Sequence, residues 1–242
     1  MKKYEQPFYE KWYEKKVYAA EVIFDLLFDV IPPVKSAVDI GCGIGTFLSV
    51  LKKKGVTEVA GIDGPWVSEE KLCIPDGDFR RHNLEELEAL ERRFDLAISL
   101  EVAEHLAPES ATRFVKMLTG ASDFVLFSAA IPFQGGMHHV NEQWPEYWAL
   151  KFQEEGFVAL DLIRPAIWNE TMIPSWYKQN TLLFVSQSRL SDLSLKEGYS
   201  VERDFIPPAL IHPDTFLGKM KKIDSLKGTW KLFKQALFKK RP

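Results

Sequence analysis

The chain contains few cysteines, carries little net charge and lacks a long apolar run. Two cysteines in 242 residues are too few for a disulfide framework, which favours a reducing compartment. No stretch reaches the roughly 18 apolar residues of a membrane-spanning helix, and the first residues lack the apolar core of a signal peptide. A net charge of −3 gives the whole chain no signature of polyanion binding. These absences predict a cytoplasmic protein without a DNA partner.

The apolar pattern of the chain indicates an α/β fold. Seven short apolar runs read as strands, and they occupy residues 37–40, 56–62, 79–82, 94–100, 124–130, 157–163 and 181–185. Most are separated by helical patterns, whereas the last two are joined without a full helix. This order is typical of a doubly wound sheet that ends in an antiparallel strand.

The first predicted strand ends in a glycine-rich turn. Gly41, Gly43 and Gly45 follow it at alternate positions and lead into a helical pattern. Such a turn lets backbone N–H groups approach a ligand closely. A dinucleotide fingerprint would need its third glycine at position 46, which is Thr46, so the turn suits a nucleotide-like ligand better than a pyrophosphate. Asp39 places a carboxylate at the strand tip, which suits a ligand with positive charge.

A second acidic residue, Asp63, ends the next predicted strand, 22 positions after Gly41. A carboxylate at this position of a βαβ unit can accept both ribose hydroxyl protons of an adenosine. Together, the turn and the two carboxylates predict a nucleoside-containing cofactor.

This pattern resembles motif I of the class I S-adenosylmethionine-dependent methyltransferases, and the resemblance covers about residues 8–185. It implies a Rossmann-like sheet, S-adenosylmethionine as cofactor, a methyltransferase domain over residues 1–185, and a cofactor contact from Asn83, where the family usually has an acid. The helix within residues 1–33 would either pack on the sheet or act as a lid over the cofactor. The predicted cofactor-binding residues are Asp39, Gly41, Gly43, Gly45, Asp63, Asn83, Leu84 and Glu101.

A cluster of possible metal ligands follows the fourth strand. Glu101, Glu104 and His105 have i, i+3, i+4 spacing and would share one face of a helix. Carboxylates and imidazoles suit Mg²⁺, Mn²⁺ or Zn²⁺, and His138 or His139 could join from the next loop. The set resembles the metal site of small-RNA 2′-O-methyltransferases and ubiquinone-pathway O-methyltransferases. Alternatively, Glu101 lines the cofactor pocket while Glu104 and His105 orient the turn.

The polar loop over residues 132–144 supplies the candidate catalytic residues His138, His139 and Glu142. A histidine with a near-neutral pKa can remove a hydroxyl proton during methyl transfer. Alignment of the acceptor oxygen with the sulfonium methyl would supply most of the catalysis. The loop sequence resembles bacterial members of the family associated with glycan or secondary-metabolite pathways.

The last 57 residues, 186–242, form a predicted extension of different character. From Lys219 to Pro242 there are eight lysines and one arginine against one acid, about +8, which leaves the rest of the chain at about −11. Apolar residues recur with helical spacing between Met220 and Leu237. A basic amphipathic helix of this kind binds membrane surfaces or polyanions, so the inner membrane face is an alternative location. The same helix could instead dock on its own domain.

The sequence therefore predicts a methyltransferase that O-methylates a hydroxyl of a small molecule or sugar. RNA ribose 2′-O-methylation with a divalent metal is the first alternative, although the acidic body of the chain argues against it. A non-catalytic cofactor-binding subunit is the second alternative, and the polar loop favours an enzyme over it. The sequence gives no indication of an oligomeric state.

Overall fold

The computed structural model describes residues 6–224 and residue 230. Seven strands form one sheet in the order β3-β2-β1-β4-β5-β7-β6, with β1 to β5 parallel and β7 antiparallel to both of its neighbours. The predicted fold class is confirmed. The strands are β1 Ser36–Ile40, β2 Glu58–Asp63, β3 Phe79–Arg81, β4 Leu96–Leu100, β5 Phe124–Ser128, β6 Phe157–Leu160 and β7 Leu182–Ser186.

Helices cover both faces of this sheet because its strands are apolar on both sides. The helices are α1 Gln6–Phe28, α2 Thr46–Lys53, α3 Ala111–Ala121, α4 Pro145–Glu154, α5 Ile163–Ile167, α6 Ser175–Asn180 and α7 Pro213–Asp224. One core lies between the sheet and α1, α2, α5 and α6, and the other lies between the sheet and α3 and α4. Neighbouring residues of a strand serve opposite cores, as with Leu96 and Ala97 of β4.

The connection between β6 and β7 differs from the prediction. β6 ends at Leu160 rather than at residue 163, because Ile163 begins the short helix α5. α6 then follows just before the last strand, where the sequence predicted no full helix. Both helices are five or six residues long, too short to leave a clear 3.6-residue pattern.

The N-terminal helix packs on the sheet, as one of the two interpretations predicted. Ile23, Phe24 and Leu27 are fully buried, and the Phe24 ring meets Phe47 of α2 edge-on at 5.8 Å. Among residues 6–224 and 230, no helix is both long and apolar enough to cross a bilayer.

The chain beyond β7 returns to the domain rather than leaving it. The Ser194 N–H donates to the carbonyl oxygen of Val30 at 2.8 Å, and Arg164 donates to the carbonyl oxygen of Pro208 at 3.0 Å. α7 begins at Pro213, six residues before the predicted basic helix, because proline is favoured in the first turn of a helix. The predicted continuation from residue 225 to Leu237 lies outside the described residues, apart from position 230.

Candidate functional site

The glycine turn between β1 and α2 has a backbone conformation and a close packing that favour glycine over other residues. Gly41 has φ +88°, in the left-handed region that favours glycine. A Cβ at Gly41 would also lie 2.2 Å from Cγ2 of Val102, so the position has no room for a side chain. The turn therefore exposes its backbone at the carboxyl edge of the sheet, next to the ends of β2 and β4.

Asp63 ties the end of β2 to this turn. One of its carboxylate oxygens accepts a hydrogen bond from the Gly43 N–H at 2.6 Å, and the other accepts from the Gly64 N–H at 2.6 Å. Burial raises the pKa of Asp63, while the two N–H donors oppose that shift. The carboxylate is thus held at the glycine turn, in the place where the sequence predicted a ribose contact.

Asp39 lies beneath the turn as a buried acid. Burial and then the charge of Asp63 raise the pKa of Asp39 to about 8. Lys16 of α1 is close enough for its ammonium to interact with Asp39, Asp63 and Glu101, while burial lowers the pKa of the lysine. Three acidic side chains therefore surround one ammonium at the glycine turn. Sequence reasoning named the lid helix but not Lys16, because the position of a helix over a pocket depends on tertiary packing.

Glu101 does not lie on a helix, and that part of the prediction was wrong. Its φ of +57° turns the chain sharply after β4, and a 3₁₀ turn, Ala103–His105, follows in place of an α-helix. The Glu101 carboxylate accepts hydrogen bonds from Gln134 at 2.9 Å and Asn180 at 3.0 Å. These contacts hold Glu101 at the carboxyl edge of the sheet, and its place in the cofactor pocket stays a prediction.

The amides of Gln134, Gln179 and Asn180 form a hydrogen-bond network around Glu101. Asn180 also donates to Gln134 at 2.9 Å, and Gln179 donates to Gln134 at 2.9 Å while accepting from the His212 N–H at 2.9 Å. The network connects the end of β4 to α6 and to the start of α7. Lone amides carry no sequence signal of their role, since it arises only when α6 packs against the loop after β5.

Glu104, His105 and His139 form a compact cluster without the predicted helical face. One ligand atom from each lies within 4.8 Å of the others. The Glu104 side chain is fully buried, and neither of its carboxylate oxygens has a hydrogen-bond partner among the described residues. A buried carboxylate without a donor either takes up a proton or pairs with a cation, and a carboxylate beside two imidazoles is a donor set that fits a divalent metal. Glu101 lies outside this set of three.

The loop after β5 orients His139 rather than His138. His139 Nδ1 lies 2.9 Å from a Glu142 oxygen, and its Nε2 lies 4.0 Å from Glu104. A Cβ at Gly136 would lie 2.1 Å from His139 Nε2, so glycine is what lets the imidazole reach this position. His138 is exposed and has φ +61°.

Two ionisable groups around His139 have shifted pKa values. Burial raises the pKa of Glu142, but hydrogen bonds from His139 and from the N–H groups of Gly135 and Phe133 outweigh it and lower the pKa. Burial and the neighbouring His139 lower the pKa of His105 to about 4. At neutral pH, His105 is therefore a neutral imidazole with a lone pair for a metal, beside an ionised Glu142.

Asn83 lies at the carboxyl end of β3, but its amide is already used in a turn. The side-chain oxygen accepts from the Glu85 N–H at 3.2 Å, and the nitrogen donates to Glu86 at 2.8 Å. The side chain is exposed, while Leu84 beside it is buried in the core. An adenine contact from Asn83 stays a prediction.

The comparisons with known proteins agree with this geometry. A structure of an S-adenosylmethionine-dependent methyltransferase from Archaeoglobus fulgidus aligns with a TM-score of 0.51, 19% identity, 65% of this chain and 76% of the other. A structure of an O-methyltransferase family protein from Burkholderia thailandensis aligns with a TM-score of 0.51 and 12% identity, and the alignment covers 74% of this chain and 57% of the other. A structure of the Synechocystis magnesium protoporphyrin IX methyltransferase with bound SAH aligns with a TM-score of 0.53 and 17% identity, and the alignment covers 72% of this chain and 83% of the other. A search of curated proteins gave no match.

The fold and the glycine turn thus define a class I S-adenosylmethionine-dependent methyltransferase. A family model described as a methyltransferase domain matches residues 9–159, which is more than half of the chain. The chain belongs to that family. At these identities the solved structures show a shared fold, and the acceptor has to be argued from the site itself.

Proposed function

We propose that the protein transfers the methyl group of S-adenosylmethionine to a hydroxyl of a small molecule or sugar. The observation that carries this proposal is the cluster of Glu104, His105 and His139 beside the cofactor pocket. An O-methyltransferase has to lower the pKa of the acceptor hydroxyl or accept its proton, and this cluster offers both a metal site and an imidazole.

The carboxylates at the glycine turn suit the charges of the cofactor. Asp63 would accept hydrogen bonds from the ribose hydroxyls, and the turn from Gly41 to Gly45 would lie along the methionine part. Asp39 and Glu101 would face the ammonium and the sulfonium. Lys16 now interacts with the same carboxylates, so we expect it either to move away or to pair with the cofactor carboxylate when the cofactor binds.

A divalent metal would be held by Glu104, His105 and His139. Two nitrogen donors and one oxygen donor favour Zn²⁺ or Mn²⁺ over Mg²⁺, which prefers oxygen ligands. When bound, such an ion lowers the pKa of a coordinated hydroxyl by Lewis acidity. Glu142 accepts from His139 Nδ1 and so fixes the ring with Nε2 toward Glu104, as carboxylates commonly do behind metal-binding histidines.

The same cluster also favours a second candidate function, methylation of an RNA ribose 2′-hydroxyl. The acidic body of the chain disfavours it, since nucleic-acid binding needs a basic surface along the substrate. The third possibility, a non-catalytic cofactor-binding subunit, would leave the Glu104 cluster without a purpose.

Cofactor affinity is expected to rise with pH up to about pH 8. The pKa of Asp39 is raised from its usual value to about 8, so near pH 6 the carboxyl is protonated and must lose that proton to face a cationic cofactor. Above pH 8 the proton is already lost and the gain stops. Calorimetric titration with S-adenosylmethionine in buffers of different ionisation enthalpy should show proton release at pH 6.5. Asp39→Asn should lower the release, and a release that is unchanged in this variant would contradict the assignment.

The reaction class is tested by an acceptor screen with a matched pair of variants. With S-adenosylmethionine and a metal, we expect methyl ethers on members of a panel of sugars, nucleotide sugars and small alcohols. His139→Asn should lower the rate by about 10²-fold or more, the scale of a lost general base or ligand, while binding of S-adenosylhomocysteine is kept.

The control for this screen is His138→Asn, because asparagine tolerates the left-handed backbone of that exposed position. Its rate should stay within about threefold of the unmodified protein. Methylation only of RNA ribose would favour the second candidate, and cofactor binding without any product would favour the third. A methylated nitrogen or carbon as the sole product would refute O-methylation.

A further inference from the structure

The loop that carries His139 and the helix α7 both expose large apolar side chains. Phe133 is 81% exposed, and Met137 and Val140 of the same loop are exposed too. On α7, Phe216 and Leu217 are 52% and 53% exposed. We name these five residues the apolar rim. Exposed apolar side chains that form a contiguous patch mark a surface that binds a protein or a membrane.

The two parts of the apolar rim are adjacent. The Lys219 ammonium on α7 lies 3.0 Å from where a Cβ of Gly135 would be, so α7 contacts the loop between Phe133 and Met137. Phe216 lies one turn before Lys219 on a neighbouring side of the helix. The loop and the helix therefore present one surface rather than two.

α7 is fixed in this place by polar contacts to α6. Thr215 donates to Ser175 at 2.9 Å, and Lys178 lies 3.4 Å from Asp214. Just before the helix, the His212 N–H donates to Gln179, a member of the network around Glu101. The helix is thus attached to the site on one side while Phe216 and Leu217 stay exposed on the other.

The charge next to the apolar rim is positive. Leu217 and Lys221 are four residues apart and lie on the same exposed side of α7, with exposed Lys222 next in sequence. The sequence from residue 219 onward adds up to about +8, against about −11 for the remainder. Exposed aromatic and aliphatic groups bordered by lysines match an anionic lipid surface, whose headgroups attract the lysines while the apolar groups enter the interface.

We propose that the apolar rim and the lysines of α7 dock the protein on an anionic bilayer. The loop that bears His139 then faces the membrane, since the Phe133 N–H donates to Glu142, which binds His139. The consequence for the acceptor rests on the proposed function: its hydroxyl would belong to the head group of a lipid-anchored molecule.

Vesicle sedimentation of the full chain tests the docking without any catalytic step, so its result is independent of the proposed reaction. The protein should pellet with phosphatidylcholine vesicles that contain about 30% phosphatidylglycerol and stay in the supernatant with phosphatidylcholine alone. Lys221→Glu/Lys222→Glu should weaken binding about 30-fold or more, at about 1 kcal/mol for each lysine. Phe216→Ser/Leu217→Ser should weaken it about tenfold and make the residual binding sensitive to salt.

Matched controls use exposed residues away from the rim. Lys53→Glu/Lys116→Glu makes the same change of charge on α2 and α3, and Leu150→Ser removes an exposed leucine from α4. Each should bind within about twofold of the unmodified chain, and circular dichroism should show that all variants are folded.

Four outcomes would overturn the proposal. The first is no vesicle binding or equal binding to neutral vesicles, and the second is binding unchanged in both α7 variants. The third is binding to single-stranded RNA in place of vesicles, which would assign the surface to nucleic acid. A change of sedimentation coefficient in Phe216→Ser/Leu217→Ser, with unchanged vesicle binding, would show that the rim joins two copies of the chain instead.

Discussion

Asp63→Ala is expected to weaken binding of S-adenosylhomocysteine by about 100-fold. The carboxylate is the predicted partner of the ribose hydroxyls, and charge-assisted hydrogen bonds of this kind are worth roughly 1.5–3 kcal/mol. The same change removes the acceptor of the Gly43 and Gly64 N–H groups, so the turn also loses its attachment to β2. Isothermal titration calorimetry measures the change directly.

Two further variants separate the role of Asp63 in the ligand contact from its role in the turn. Asp63→Asn keeps the shape and one oxygen acceptor, so its affinity should lie between that of the alanine variant and that of the unmodified chain. Asp76→Ala removes an exposed carboxylate from the turn before β3 and should leave the affinity unchanged. If Asp63→Ala binds within threefold of the unmodified protein, the cofactor pocket lies elsewhere.

Glu104→Gln is expected to change metal affinity and stability in opposite directions. The carboxylate is fully buried and has no hydrogen-bond partner among the described residues. Loss of this ligand should lower Zn²⁺ or Mn²⁺ affinity by about 100-fold or more, because even outer-shell partners of a metal are worth about 10–100-fold. The metal-free variant should unfold at a higher temperature, since it no longer buries a charge without a partner.

The stability gain should depend on pH in a defined direction. Burial, followed by the charge of Glu101, raises the pKa of Glu104 well above its usual value. The folded state thus binds this proton more tightly than the unfolded chain does. Protonation of Glu104 therefore stabilises the fold at low pH, and this stabilisation is lost as the pH rises above about 4.5. At pH 8 the free energy of unfolding of Glu104→Gln should exceed that of the metal-free parent chain by about 1–3 kcal/mol. At pH 4.5 the two free energies of unfolding should be almost equal.

The same measurements on Glu146→Gln, which neutralises an exposed acid at the start of α4, should show neither effect. Chelation of the parent protein should abolish methyl transfer and leave binding of S-adenosylhomocysteine intact. Full activity after chelation, with no metal found by elemental analysis, would exclude a role for the ion.

Much of the fold could be predicted from the sequence because its signals are local. The strand–glycine–helix transition at Gly41 and the apolar runs of the strands are visible in a single chain, and the seven-stranded sheet with an antiparallel last strand agrees with the prediction. Strand ends differ from the prediction by up to three residues, because they depend on which residues pair across the sheet. β4, for example, starts at Leu96 rather than at residue 94.

The candidate site was less predictable, since most of it is assembled from distant parts of the chain. The prediction grouped Glu104 and His105 correctly. It assumed, however, that they share a helix with Glu101, and the positive φ of Glu101 prevents that helix. The choice between His138 and His139 depends on the contact with Glu142 and on the space at Gly136. Neither feature is visible before the loop is folded.

The position of β7 between β5 and β6 has a consequence for synthesis on the ribosome. β5 emerges more than fifty residues before its antiparallel partner, so its edge stays unpaired until Ser186 has been made. Exposed edges of this kind invite association with other chains. Asn180, which holds Glu101, comes directly before β7, so the pocket and the sheet are completed in the same late interval. A nascent chain released before β7 has been made would have neither a complete sheet nor a complete site.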